Sequence, residues 1–480
     1  MDTPNAFIQG LDAVNDFIWT YVIITILVGG ALYFTWKLKA VQFTLPKEMW
    51  RLLTKSGKIE GGVDGENQKP ISSFQAFAVS LSSRAGTGNL AGVASAIFVG
   101  GPGAVFWMWI MALLGASTAF MEATLAQLYK RRNPEDGSFY GGPAYYMEHG
   151  LHRRWMGLIF AVLITISFGM ANQIVQSNTL CDALGDLFSI SNLWMGIILT
   201  IMTTVVIFGG IQRISRICSI CVPFMAVGYL LLAITIILLN ITAIPGILKL
   251  IVESAFGINQ VAGGMLGAAI MQGVRRGLFS NEAGEGSAPN AAAIAHISHP
   301  VKQGLLQALG VFTDTLVICT CTASIILIAG LYNGNTDGIL LTTQSIEQEI
   351  GSAGRWFLTA AIFLFVYSTI IANYFYGEAT VRFFAKAKKV NDKIPVFAFR
   401  LITAAMVFLG GIMTLQTAWS IIDICMAVMT FVNMVAVIEL SPKAFKLLQD
   451  YREQLKQKRD PEFHKSVLSP KEAADVECWD

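Results

Sequence analysis

The strongest constraint on this chain is a succession of eleven apolar runs, each long enough to cross a bilayer. They fall at about 14–37, 71–99, 103–129, 155–181, 193–210, 214–239, 263–296, 303–330, 354–384, 395–415 and 418–440, numbered here as spans 1 to 11. A crossing takes about 20 apolar residues, so eleven need roughly 220. A chain of 480 residues that is 54% hydrophobic supplies them. Only 14% of the residues are charged, against roughly 25% in a soluble domain. A soluble enzyme is therefore excluded, and the expected class is an all-α polytopic membrane protein. The net charge of +2 offers no electrostatic case for a nucleic-acid partner. Asp2, Asp12 and Asp16 are the only charges ahead of Phe17, and no small-residue cleavage site closes span 1. It reads as a retained helix and not as a signal peptide.

Lys and Arg set the orientation, because short cytoplasmic loops carry an excess of them. With the N-terminus outside, the basic residues from Lys37 to Lys69, Lys130 to Arg154, Arg213 and Arg216, Arg275 to Lys302, Arg382 to Arg400, and those from Lys443 onward all fall inside. Lys249, Arg355 and Arg84 are the exceptions. The C-terminus is then cytoplasmic. Outside the spans no segment is large enough for a second domain, and the tail 441–480 is near the lower limit for independent folding. Aromatic and apolar residues interleave with Lys and Arg between Val41 and Lys55, as in an interfacial helix. Cys218 and Cys221 have metal-like spacing without a second pair, so packing is the expected role. His296 and His299 run straight into Pro300, which marks a cytoplasmic helix end.

Two spans are interrupted by residues that spoil a helix: Ser80 to Gly92 in span 2, and Gly277 to Pro289 in span 7. A mid-helix Gly costs about 1 kcal/mol and a Pro about 3. In hydrocarbon the freed amides and carbonyls cannot turn to water, so such a break survives only where it lines a cavity or is buried in protein. Starting a five-span unit at each break gives 71–240 and 263–440, separated by an outer loop at 241–262 and preceded by 1–70. Five is odd, so the halves are inverted. Interrupted helices at matching places in inverted halves point to a transporter with a midplane substrate site.

These residues carry a family resemblance. Ala85 to Gly92, Gly277 to Gly284 with Gly286 to Pro289, Phe312 to Leu316, and Tyr376 to Glu378 resemble the alanine or glycine:cation symporter (AGCS) family of prokaryotic sodium-coupled amino-acid transporters. The resemblance implies the leucine-transporter type of fold, a 5+5 inverted repeat of spans 2–6 and 7–11 behind one extra N-terminal helix. It also implies a small neutral amino acid held by the unwound parts of spans 2 and 7, here Gly86, Thr87, Gly88 and Asn89 with Phe279, Ser280 and Gly284. Asn172 and Gln176 are four apart and face one way on span 4, either as a wall of that pocket or as a helix-to-helix contact. Sodium is expected between the carbonyls of Ser82 and Ala85 and the hydroxyls of Ser368 and Thr369, because a hard cation takes oxygen ligands. Those two hydroxyls bonded to their own helix are the alternative.

Two positions depart from the family's pattern. Asn373 stands where a bulky Trp is expected in alanine carriers, which opens glutamine as a substrate besides alanine and glycine. Glu285 replaces an apolar residue and accompanies Arg84 in the other break. A lone Arg at depth costs at least about 2.5–3.5 kcal/mol, so Arg84 is expected to pair with Glu285 or Glu282. Glu122, Asp314 and Glu378 are expected to anchor helices, with proton coupling the sharper alternative.

Cation-coupled symport in a prokaryotic inner membrane is thus the leading function, with no cofactor, with sodium or alternatively a proton as coupling ion, and with a monomer sufficient. A channel would call for repeated filter residues, and an intramembrane enzyme for a nucleophile with a base or metal. Neither pattern is present in the sequence.

Overall fold

The computed structural model describes residues 15–55, 70–133, 137–257, 263–334, 336–413 and 416–479. Among them, eight helices are long and apolar enough to cross a membrane. The other expected spans are a 16-residue helix, Asn192–Ile207, and the two interrupted runs. Span 2 consists of Ser73–Arg84, then a π-helical turn Gly88–Gly92 and the helix Val93–Gly100. Span 7 consists of Gly263–Asn281 and, beyond an unwound stretch, the short helix Pro289–Ala292.

Local sequence explains where helices begin. Ser72 and Gln75 form a reciprocal capping box at the start of span 2, with bonds of 3.2 and 3.0 Å, satisfying amides that a helix end leaves free. His299 does the same for span 8, its Nδ1 accepting from the Val301 amide at 3.1 Å. Pro300 follows at the first helical position, where a missing N–H costs nothing.

The two halves interlock. Spans 2 and 7, 3 and 8, 4 and 9, and 5 and 10 pack against one another, as a two-fold relation about an axis in the membrane plane would bring each helix to its counterpart. Small residues permit the close crossings. A Cβ added at Gly304 of span 8, for example, would lie 2.2 Å from Thr124 Oγ1 of span 3.

The segment between span 6 and span 7 is more ordered than an outer loop suggests: Ile244–Ala255 is a helix. It docks on span 3, where Ser254 Oγ accepts from the Gly103 amide at 3.0 Å and Ala255 O from Trp107 Nε1 at 3.2 Å. Pro46–Lys55 is the amphipathic helix expected there, with Met49 and Leu52 buried and Trp50 exposed. The rest of the connection to Lys69 lies outside the described residues.

One assignment of charge needs correction. Arg275 and Arg276 do not lie with Lys302. Arg275 sits beside the start of span 1, 2.9 Å from Asp16, whereas Lys302 pairs with Asp460 of the tail at 3.2 Å. The chain leaves the helix after Asn281, so the two arginines belong to the half of span 7 that precedes the break, and Lys302 to the other end.

The tail closes that other end. Span 11 continues as one helix, Gln416–Lys456, and the chain then folds back over the ends of the bundle on that side. The Phe463 amide donates to Ser298 O at 2.9 Å, and Trp479 Nε1 donates to Gln127 O at 3.0 Å. Lys130 Nζ lies 4.5 Å from the Trp479 ring and donates to Ala295 O at 3.1 Å. Trp479 is thus a keystone between the tail, span 3 and the short half of span 7. Trp479→Ala is expected to lower the thermal midpoint in detergent by several degrees, since emptying a buried Trp site costs about 3–5 kcal/mol. An unchanged midpoint would show that the tail is not docked.

Candidate functional site

The unwound stretch of span 7 is real main-chain departure from a helix. Glu282 has φ 54°, Gly284 φ 100° and Gly286 φ 86°, all in the left-handed region that favours glycine. The break in span 2 is narrower, confined to Ala85 and Gly86 before helix resumes. Gly86 is required there by proximity: an added Cβ would lie 2.6 Å from Thr369 Oγ1 and 3.1 Å from Gln176 Oε1.

Several of the freed backbone groups have a partner on another span. The Gly284 amide donates to Glu122 Oε2 at 3.1 Å, and Gly284 O accepts from Asn433 Nδ2 at 2.9 Å. Asn433 also donates to the second Glu122 oxygen. The Thr87 amide donates to Gln176 Oε1 at 3.2 Å, and Gln176 in turn donates to Asn172 at 3.0 Å. Ser82 O accepts from Thr369 Oγ1 at 2.7 Å. Spans 3, 4, 9 and 11 are therefore all tied to the two breaks.

Between the breaks lies a small cavity of about 10 Å³, room for roughly one water molecule. Gly86, Gly88 and Arg84 of span 2, Phe279, Glu282 and Glu285 of span 7, and Asn172 and Gln176 of span 4 line it. A far larger cavity, about 930 Å³, lies on the side where span 1 begins, bounded by Asp16, Arg275, Arg276, Trp419 and Asp423 among others. The Phe279 and Trp419 rings separate the two, with centroids 5.1 Å apart. Arg276 lies over the Trp419 ring at 5.2 Å, a cation–π contact.

A second polar cluster joins spans 2, 7 and 8. Asp314 accepts from Asn89 Nδ2 at 2.6 Å, from Thr315 Oγ1 at 3.2 Å and from Ser280 Oγ. It is a fully donor-satisfied anchor. Glu378 is held by Arg382 at 2.7 Å and by the Tyr374 hydroxyl, at the end of span 9.

The sodium:alanine symporter family model matches residues 5–465. The chain belongs to that family. It is 47% identical over 97% of its length to the probable sodium/glutamine symporter GlnT of Bacillus subtilis, of which 94% is covered. It is 44% identical to the amino-acid carrier protein AlsT of the same organism, over 97% of this chain and 96% of that one. The sodium/proton-dependent alanine carrier protein of Bacillus sp. PS3 is 38% identical, over 88% of this chain and 96% of that one. Among solved structures, MhsT in complex with L-phenylalanine superposes with a TM-score of 0.57 at 13% identity, covering 85% of this chain and 92% of that one. That likeness establishes the fold, the leucine-transporter type of inverted repeat. The family's members are symporters, so the chain is a transporter and not an enzyme.

Within this family frame, the structure brings Gly86, Gly88, Asn172, Gln176 and Phe279 to the small cavity and places the other expected substrate residues outside its lining. Asn89 and Ser280 face Asp314 and not the small cavity. The Thr87 amide, expected to be free for a carboxylate, is engaged by Gln176. Gly284 is turned toward Glu122 and Asn433. Asn373 approaches Ser83, its Oδ1 2.6 Å from Ser83 Oγ, which also lies 2.6 Å from Glu282 Oε1. Ser83 has one hydrogen to give. With the amide turned so that its nitrogen faces Ser83, Asn373 donates to Ser83 and Ser83 donates to Glu282. Ser368 bonds Phe365 O of its own helix at 3.0 Å, and Thr369 Oγ1 lies 2.9 Å from that same carbonyl and 2.7 Å from Ser82 O of span 2, with one hydrogen to give.

The expected ion pair is not formed. Arg84 Nη1 donates to Gln307 O of span 8 at 3.3 Å, through the space left by the missing side chain of Gly310. Glu282 accepts instead from Ser83 and Ser287. Two uncharged hydroxyls thus satisfy the acid, and a backbone carbonyl holds the base. Ser83, Phe168 and Met426 also line the cavity without having been singled out. Phe168 lies in a π-helical turn, Ser167–Ala171, a feature that often marks function but has no Gly–Pro signature to announce it.

Gly86→Ala is expected to reduce transport more than tenfold at normal membrane abundance, because the added carbon must displace Thr369 or Gln176. Gly29→Ala serves as the control, since nothing lies within 4 Å of a Cβ there. Equal uptake by both variants would show that the close approach of spans 2 and 9 is dispensable.

Proposed function

We propose that this chain is a sodium-coupled symporter of a small neutral amino acid of the alanine, glycine and glutamine class, working by alternating access. The observation that carries the reading is the crossing of spans 2 and 9, where Thr369 Oγ1 lies 2.7 Å from Ser82 O directly beside the break. A carbonyl freed beside the break and a hydroxyl facing it are oxygen donors of the kind a hard monovalent cation takes once their mutual hydrogen bond opens, with Ala85 O and Ser368 Oγ as further ligands. The amino acid would lie between the breaks, against Gly86, Gly88, Phe279 and Gln176, with Thr87, Asn89, Ser280, Gly284 and Asn373 shaping the surrounding wall. Binding there requires the cavity to widen, because its present volume admits only about one water.

The asymmetry of the two sides supports alternating access. A wide cavity reaches Trp419 from one side, the Phe279–Trp419 pair closes the site beneath it, and the docked tail covers the other side. Displacing the aromatic pair would admit solute, and releasing the inner halves of spans 2 and 7 would discharge it. We place the N-terminus outside and the C-terminus in the cytoplasm of a prokaryotic cell, with 71–240 and 263–440 as the two inverted halves. The basic residues around Lys130, Lys302 and Lys443 favour that orientation.

The energetics suffice. One monovalent cation crossing about 100 mV supplies roughly 2.3 kcal/mol, and a tenfold ion gradient adds about 1.4. Together they support a solute gradient of several hundredfold. Counterflow of labelled alanine, glycine and glutamine in proteoliposomes is expected to require sodium and to persist when the pH gradient is collapsed. Thr369→Val, which keeps shape and removes the hydroxyl, is expected to raise the half-saturating sodium concentration at least tenfold. Sodium-independent exchange with an absolute requirement for a proton gradient would overturn the choice of ion, and exchange of none of the three solutes would overturn the substrate class.

A further inference from the structure

Among the side chains that line the small cavity, two residues carry buried polar atoms without a hydrogen-bond partner. Both carboxyl oxygens of Glu285 are buried without a hydrogen-bond donor, and Nε and Nη2 of Arg84 are buried without an acceptor. Both residues line the same cavity, one from each break, and are no more than 2% exposed. The neighbouring acids differ from Glu285: Glu282 is satisfied by Ser83 and Ser287, and Glu122 by the Gly284 amide and Asn433. A buried polar atom left unmatched costs about 1–3 kcal/mol, more if charged. Open lone pairs on one wall and open N–H groups on the other are complementary to a ligand that carries both a donor and an acceptor.

We infer that Glu285 and Arg84 form a subsite that reads a carboxamide on the side chain of the transported amino acid, making glutamine and asparagine preferred over alanine. The inference rests on the amino-acid symport proposed above and narrows its substrate. A carboxamide presents two N–H donors to Glu285 and one carbonyl oxygen to Arg84, and it is uncharged. A cationic side chain would face the Arg84 guanidinium, and an anionic one would face Glu282 and Glu285. Alanine would leave both walls unmatched. A site built to hydrogen-bond a substrate discriminates strongly against the analogue that lacks the group. Met426, unbranched and flexible, lines the same cavity and can yield as the longer side chain enters.

The test is sodium-dependent counterflow in proteoliposomes, run separately with labelled glutamine and labelled alanine and competed by glutamine, asparagine, alanine, glutamate and lysine. Glutamine and asparagine are expected to compete at least tenfold more effectively than alanine, and glutamate and lysine not at all. Glu285→Leu, close in size and apolar, is expected to bring glutamine down to the level of alanine. Glu285→Gln is expected to keep most of the preference, because its side-chain oxygen still accepts. Alanine equal to or better than glutamine in the wild-type protein overturns the inference without needing any variant, as does an unchanged ratio in a folded Glu285→Leu. Failure of every amino acid to exchange in sodium is a separate result, and it overturns the symport reading itself.

Discussion

A main chain that leaves its helix inside a bilayer must find protein partners for its amides and carbonyls, and the rest of this structure is arranged around that need. Glu122 on span 3 and Asn433 on span 11 take the Gly284 amide and carbonyl. Gln176 on span 4 takes the Thr87 amide, and Thr369 on span 9 meets the Ser82 carbonyl. Four different helices are positioned by the two breaks. The bonds that make the breaks tolerable also bring the cavity-lining side chains together, so stability and site geometry have one origin.

The same low dielectric governs the charges. Glu122, Glu282 and Asp314 are buried, and each is met by hydroxyl, amide or carboxamide donors and not by a direct ion pair. Neutral donors placed by folding leave these acids without a fixed counter-charge. At the membrane faces charges pair conventionally, as Arg382 does with Glu378 and Lys302 with Asp460. Direct ion pairing belongs to the ends of the bundle, and hydrogen-bonded acids to its centre.

Much of this was legible in the sequence, for physical reasons that also set the limits. Gly and Pro are conspicuous in hydrocarbon, so both breaks could be located, and the structure trims them to 85–86 and 282–288. Thr369 was named through the family resemblance, and the structure sets it beside Ser82 O. Phe168 and Met426 were not legible, because an apolar residue in an apolar helix carries no mark of facing a cavity. The placement of Arg275 with Asp16 depended on knowing where span 7 stops being helical. Arg84 does not pair with Glu282 because the hydroxyls of Ser83 and Ser287 satisfy that acid and the carbonyl of Gln307 holds the guanidinium, whereas Nε and Nη2 of Arg84 and both Glu285 oxygens are left without partners and out of ion-pair reach, a property of the packed chain. The docking of Trp479 on Gln127 joins residues 352 apart, beyond any local pattern.

The central claim is that the two breaks together bind solute and cation. Hydrogen exchange at the backbone amides measures this directly, because those amides must change partners or gain protection when ligand enters. With sodium and a transported amino acid both present, exchange in peptides covering 85–92 and 279–288 is expected to slow together, more than with either ligand alone. Unchanged exchange in both segments under conditions of saturated transport would contradict the account.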